Sequence, residues 1–515
     1  MSRSVANMPG HSILKSPTYR GWRGIALFNM HSLRQLPRPR IRSVKRNATP
    51  LTQSFSTTQI TRQRVPSTSN NPSGSTTTNP AHLPLSNLRI LDLTRVLAGP
   101  FCTQILADYG ATVLKVEQPG SGDETRQWRT AGETAQMWND DFLSASNHGK
   151  GGDAPLMSLY FSSVNRNKRS VTLNLKSERG RALIREMLDP NNPGSYDIIV
   201  HNFLPGKMDD MGLGYSDLKK VNPAFIYAGV SGYGATGPSS KRAGYDAIAL
   251  AEAGLLHITG SADSGPAKPG VAIADLCTGL YTHGAILAAV NARSQTGVGC
   301  KIDASLFESA LSLLINVGLT SLNLGLNQGP AQRRRGSRLG LGHPNLVPYG
   351  GYKTRDGRQL FVAANNNRQW KLFCERLQLE PAFVEQYSTN DKRVENRGTI
   401  DKVLGERFAE KDLREWEAVF EGSGLPYGPI NDVVEALEHQ QADARDMVVP
   451  VEGIEAARDG MMRLIGPAVK FDGGARVNGV VRRKPPLLGE HTDEVLHEMG
   501  YEDAEVKAMR QEGVV

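Results

Sequence analysis

Leu88-Arg-Ile-Leu-Asp-Leu-Thr-Arg-Val-Leu-Ala-Gly-Pro100, followed by Gly110-Ala-Thr-Val-Leu-Lys-Val-Glu117, is the stretch that decides the fold. Leu88 to Leu93 is a short apolar run of the kind that makes a buried strand. Ala98-Gly-Pro100 then opens a helix through about Asp108, with Pro100 at an early helical position where its missing N–H costs nothing. Gly110 stops that helix, and Ala111 to Val116 makes a second strand closing on Glu117. The product is a β-α-β unit whose helix begins where phosphates bind, because free N–H groups and the helix dipole both point there.

A dinucleotide site would place GxGxxG in the first turn and an acid after the second strand. Glu117 meets the second condition, but Thr94-Arg-Val-Leu-Ala-Gly-Pro100 fails the first. The unit is therefore Rossmann-like without a dinucleotide fingerprint. Further alternation follows: strands at Ser170–Leu175, Asp197–His201 and Phe225–Val230, a helix at Ser177–Leu188 and a helix tail at Leu218–Val221. Strands alternating with helices predict a parallel sheet covered on both faces. The chain then divides into a large Rossmann-like domain from 84 to 325, a Gly- and Arg-rich connection at 326–342, a smaller α+β domain at 343–450, and a return segment at 451–515. The connection carries Gln332-Arg-Arg-Arg-Gly-Ser-Arg338, a charge run expected to be solvated.

Charge is unevenly spread along the 515 residues. The formal net charge is +8, yet residues 1–91 contain 13 Lys and Arg and no acid, Asp92 being the first. Setting those aside leaves 47 basic against 52 acidic residues, a net charge of −5 for the remainder. A basic nucleic-acid surface on the folded body is thereby excluded. The Arg-rich, Ser-rich, acid-free leader has the composition of a mitochondrial transit peptide, and residues 47–82, rich in Ser, Thr, Asn and Pro, read as a disordered linker. The expected compartment is the matrix. The most apolar stretch downstream, Leu311 to Leu326, is broken by Asn316, Thr320, Ser321 and Asn323, so no membrane span is expected. Cys102, Cys277, Cys300 and Cys374 show no CxxC spacing, which predicts neither a metal site nor a disulfide framework.

Several ordered motifs carry a family resemblance. Ile90 to Pro100, Leu114-Lys-Val-Glu-Gln-Pro-Gly120, Gly122-Asp-Glu-Thr-Arg126, Asn165-Arg-Asn-Lys-Arg-Ser170, Asn202-Phe-Leu-Pro-Gly206, Gly232-Tyr-Gly-Ala-Thr-Gly-Pro238 and Pro485-Pro-Leu-Leu-Gly-Glu-His-Thr492 resemble the class III CoA-transferases of CaiB/BaiF type, from about residue 86 to the end. Gly244-Tyr-Asp246, Leu256 to Gly260, Pro269 to Gly279 and Pro426 to Asn431 are closest to the mitochondrial branch that moves CoA from succinyl-CoA to glutarate. The resemblance implies coenzyme A and acyl-CoA as substrates with no permanently bound cofactor and no metal, a dicarboxylic acid as acceptor, and two subunits interlocked as a homodimer. Neighbouring dicarboxylates would need the same recognition, so donor and acceptor stay open.

In that family the nucleophile is an aspartate, which falls on Asp275. A carboxylate suits this chemistry because it can attack the thioester, form a mixed anhydride, and pass through an aspartyl-CoA thioester without surrendering the acyl energy to water. It must be ionised to do so. Asp275 also precedes the helical spacing of Leu276 to Ala292, where Asp is a preferred N-cap, and a helix start would favour its charged form. Ser305-Leu-Phe-Glu308 reads as a capping box. The family positions for CoA fall on Arg95, Leu97, Ala98, Leu173, Lys176, Asn202, Phe203, Tyr245 and Asp246, with Lys168 and Arg169 as further cations for phosphate. Arg166 is the candidate grip on the acid's distal carboxylate, by its bidentate fork, and His343 a candidate substrate contact from the small domain.

Three departures bear on substrate. The glycine run that shields the anhydride in the formyl-CoA branch is missing, and Leu97 stands where that branch has Gln, so oxalate is disfavoured. Residues 136–157 read as an insertion. Related racemases pair the aspartate with a His in Gly-His-Asp, where this chain has Gly244-Tyr-Asp246 and so lacks an acid–base partner. A CoA-binding protein without turnover is the alternative from another class, set apart by trapping an enzyme-bound thioester. A dehydrogenase, testable by nicotinamide binding, is a third.

Overall fold

The computed structural model describes residues 83–139, 157–324, 336–471 and 481–515; the leader 1–82, the bulk of the inserted stretch and the run Gln332 to Arg335 lie outside them. The opening unit forms as its pattern predicts, with β1 at Arg89–Leu93, α1 at Ala98–Asp108 and β2 at Thr112–Glu117. A short helix, α2 (Leu159–Ser163), leads into β3 (Lys168–Thr172), followed by α3 (Glu178–Leu188), β4 (Ile198–His201), α4 (Tyr215–Val221) and β5 (Ile226–Ser231). Then come α5 (Asp246–Glu252), the long α6 (Ile273–Thr296), β6 (Lys301–Ser305), α7 (Leu306–Ser312) and α8 (Ile315–Asn323).

The six strands make one sheet in the order β3-β2-β1-β4-β5-β6, every pair parallel, with Ile90 opposite Ile198 and Leu91 opposite Ile199. Strand alternation sends Ile90, Val113, Ile198, Val200 and Ile226 to one face, under Cys102 and Leu106 of α1 and Ile286 of α6. It sends Leu91, Leu93, Leu114, Val171 and Ile199 to the other, under Leu183, Ile184 and Met187 of α3. The chain end closes that second face through Val495 and Leu496 of α12 (Thr492–Glu498) and Val506 and Met509 of α13 (Asp503–Gln511).

A second core surrounds a three-stranded antiparallel sheet of β7 (Tyr349–Lys353), β8 (Gln359–Ala363) and β9 (Tyr427–Pro429). Trp370 and Phe373 of α9 (Asn367–Arg376), Phe408 of α10 (Arg397–Phe408) and Trp416 and Phe420 of α11 (Leu413–Phe420) fill it. A hairpin, β10 (Val448–Glu452) and β11 (Met461–Ile465), packs with Trp138 and Phe161 in a separate cluster.

Two elements depart from the sequence reading. The third strand runs Lys168–Thr172 rather than Ser170–Leu175. Its two cations look like loop residues until their partners are seen: Lys168 Nζ lies 2.9 Å from Asp92, and Arg169 reaches Glu494 and Glu498 of the returning chain. The long helix begins at Ile273, so Asp275 sits in its first turn and is not its cap. By length and composition α6 also matches a membrane span, but Ala274, Thr278, Gly279, Thr282, Ile286 and Ala289 bury one of its faces within the domain.

Candidate active site

The strand order 3-2-1-4-5-6 reverses direction between β1 and β4, and ligands of such sheets lie in the crevice beyond the strand ends at that point. There the structure opens a cleft. Its walls are the turn Arg95–Ala98 after β1, Asn202–Leu204 after β4, Val230–Gly232 at the end of β5, Tyr245 before α5, and Asp275 on α6.

The first turn is held from below by buried charge. Lys115 donates to the Thr94 carbonyl at 2.7 Å and pairs with Asp123 at 3.0 Å; Asp123 in turn accepts from the Val96 N–H at 3.2 Å. Lys168, also fully buried, donates to Asp92 and to the Pro100 carbonyl, both at 2.9 Å. Burial draws Lys168 down to about 8 against the pull of Asp92. These ties hold Val96 at φ 72°, in the left-handed region that a β-branched residue resists. Gly99 is required next to it, since a Cβ there would come within 2.5 Å of the Thr94 side chain. Asn202 completes the clamp: its Oδ1 accepts from the Arg95 N–H at 3.0 Å and its Nδ2 donates to the Arg95 carbonyl at 2.7 Å. Among the described residues none accepts from the N–H groups of Leu97 or Ala98, so α1 presents its positive end to the cleft.

Asp275 reaches this cleft because α1 and α6 pack closely. Gly279, one turn after Asp275, makes that possible; a Cβ there would lie 2.8 Å from the Ala98 carbonyl. The Asp275 carboxyl is pushed up to about 7, first by burial and then by the charge of Asp246. This corrects the expectation that the helix start favours its ionised form. Asp246 Oδ1 has taken the helix start instead, accepting from the N–H of Ala274 at 2.8 Å and of Asp275 at 3.4 Å. No described residue donates to the Asp275 carboxylate.

The residues singled out in the sequence divide into two sets. Arg95, Leu97, Ala98, Asn202, Phe203, Tyr245 and Asp275 line the cleft, with Asp246 bonded to the backbone of the turn that carries Asp275. Leu173 is instead in the core beneath α3, and Lys176 is exposed on the turn before that helix. Arg166 is buried against Asp108 at the far end of α1, 2.6 Å from its Oδ2. His343 lies beside the three-stranded antiparallel sheet, its Nδ1 accepting from Asn345 N–H at 3.1 Å and its ring 5.2 Å from that of Tyr349 on β7. Ser305 does cap α7, accepting from Glu308 N–H at 3.2 Å and donating to the Glu308 carboxylate at 2.7 Å. Two side chains were missed. Glu124 lines the cleft, and the Tyr160 phenol is raised by burial and by the charges of Asp275, Asp246 and Asp123. Glu124 stands out only as part of a motif, and nothing local marks Tyr160, whose neighbours are distant in sequence.

The structure thus combines a parallel α/β sheet, a cleft at its switch point and, in that cleft, a carboxylate to which no described residue donates. The CoA-transferase family III model matches residues 85–492, and the chain belongs to that family. It is 47% identical over 436 residues to an acyl-CoA transferase of Fusarium pseudograminearum, covering 84% of this chain and 88% of that one. Succinyl-CoA:glutarate CoA-transferase of Homo sapiens is 40% identical over 435 residues, covering 84% and 90%. A CaiB/BaiF family protein from Brucella suis of known crystal structure is 33% identical, covering 81% of this chain and 99% of its own, with a TM-score of 0.65.

Proposed function

We propose that this enzyme moves CoA from succinyl-CoA to glutarate through covalent intermediates on Asp275. The observation that carries the reading is the placement of Asp275: a half-buried carboxylate without a donor among the described residues, on the wall of the cleft that the start of α1 faces. A raised pKa makes the ionised oxygen a better nucleophile than an ordinary surface carboxylate. It attacks the thioester carbonyl, and the C–S bond breaks to release CoA thiolate and leave a mixed anhydride. The thiolate attacks the Asp275 carbonyl of that anhydride, freeing the donor acid and forming an aspartyl-CoA thioester. The acceptor carboxylate displaces the thiolate in turn, and the thiolate takes the new acyl group, restoring Asp275. The oxyanions formed along this path suit the free N–H groups at the start of α1.

Arg95, Phe203 and Tyr245 are the proposed contacts to CoA, from their places on the cleft walls. A homodimer is supported by apolar side chains left in solvent, Ile315 at 73%, Leu319 and Leu322 each at 64% on α8, together with Leu280 and Tyr281 on α6. The acid-free leader supports import into the mitochondrial matrix. The test is purified protein with succinyl-CoA against a panel of dicarboxylic acids, with hydroxylamine trapping of the acyl-enzyme. Wild type should form glutaryl-CoA and a trapped hydroxamate at Asp275, and Asp275→Ala neither. Normal turnover by Asp275→Ala would end this reading.

A further inference from the structure

Asp246 was marked by motif position as part of the CoA site, yet the residue is buried and its carboxylate is turned onto the helix that carries Asp275. Its Oδ1 accepts from the Ala274 N–H at 2.8 Å and the Asp275 N–H at 3.4 Å. Those are the second and third N–H groups of α6, the donors that an N-cap side chain normally takes. The residue in the cap position, Ala272, has no side-chain acceptor to offer. The cap is therefore supplied by another helix, 29 residues earlier in the chain than Asp275.

This arrangement has two effects on Asp275. Two N–H groups of the first turn, one of them its own, are taken up by Asp246. A second negative charge also stands beside it, and like charges oppose ionisation. Other groups near Asp275 do not cancel that charge. Tyr160 approaches as a neutral phenol from α2, Glu124 is a further carboxylate across the cleft, and Arg95 there is exposed to solvent. Glu308 of α7 is bound to Ser305, Glu252 of α5 is paired with Arg242, and Cys277 is the nearest titratable group on α6 itself.

We propose that Asp246 is a positioning residue for the nucleophile: by capping α6, where Ala272 has no acceptor to offer, it holds the first turn from which Asp275 faces the cleft. It fixes where the first turn of α6 begins and keeps the attacking oxygen basic. The proposal rests on Asp275 being the nucleophile, so the experiment must separate the two.

The test measures kcat and KM for acyl-CoA from acid to alkaline pH in wild type, Asp246→Asn, Asp246→Ala and Asp275→Asn, each with a thermal melt. Asp246→Asn keeps an amide oxygen for the cap but removes the charge. Its acidic limb in kcat/KM should move down by about one pH unit, with the melt close to that of wild type. Asp246→Ala loses the cap as well, and its kcat should fall on the order of tenfold or more, with KM changed less than about threefold. An Asp246→Asn profile that superimposes on wild type overturns the proposal. So does a rise in KM at constant kcat, which would make Asp246 a CoA contact. If either occurs while Asp275→Asn is inactive, the nucleophile assignment stands and only the positioning role falls; an active Asp275→Asn removes both.

Discussion

Replacing Asp275 by Asn should abolish transfer and make the protein more stable, by an amount that grows with pH. The carboxyl is pushed from 3.8 to about 7 in the folded protein, by burial and then by Asp246. Between those values the native state holds a proton that the unfolded chain has released, so stability falls as pH rises through the window. The whole penalty is present above the folded value and vanishes below the unfolded one. At ~1.4 kcal/mol per pKa unit, the shift corresponds to roughly 4 kcal/mol as an upper bound. Asn has no such term. Its advantage should therefore widen by about 2 kcal/mol between pH ~5.5 and pH ~8.5. Chemical denaturation of the two proteins at matched pH reads this directly, provided that the slopes with denaturant agree. A gap that does not change with pH, or an Asn variant less stable at alkaline pH, would refute the claim that the site holds the Asp275 carboxyl at the expense of stability.

Other outcomes follow from the same geometry. Val96→Gly relieves a φ of 72° and should leave stability unchanged or raise it by about 1 kcal/mol, with KM for acyl-CoA rising as the turn loosens; a clear loss of stability on denaturation would count against strain there. Lys168→Met leaves Asp92 buried without its partner and should cost about 3–5 kcal/mol by denaturant titration, most of it recovered by adding Asp92→Asn. Arg166→Met should likewise destabilise through Asp108, with recovery in the double variant Arg166→Met, Asp108→Asn. A specific rise in KM for the dicarboxylate at unchanged stability would instead return Arg166 to the substrate. Leu319→Lys should shift the protein toward monomer in light scattering if α8 forms the subunit contact.

The elements that were legible share one property: their signal lies within a few residues. Leu88 to Glu117 carries an apolar run, a helix start with Pro100, a stop at Gly110 and a second apolar run, and the structure follows it to within a residue or two. Where the deciding partner is distant, the reading slipped. Lys168 and Arg169 look like solvated cations until Asp92, 76 residues back, and Glu498, 329 residues on, are brought beside them. The elements around the second core read as an amphipathic mixture, but its aromatic residues Trp370, Phe373, Phe408, Trp416 and Phe420 gather from three helices that no local pattern connects.

The site shows the same division more sharply. Composition and spacing gave Asp275 the role of a cap, and only resemblance raised it to nucleophile. The two readings are reconciled by a residue elsewhere. An aspartate at the start of a helix would ordinarily spend its oxygens on the backbone beneath it, and an oxygen so spent is a poor nucleophile because its lone pairs are engaged and its pKa is low. Asp275 is the third residue of its helix and does not close it; Asp246 does so across 29 residues of sequence. Gly279 then brings the start of α1 close enough to share the cleft. Neither requirement leaves a trace in the residues around Asp275, yet both follow once a carboxylate in the first turn of a helix is asked to form a bond to carbon.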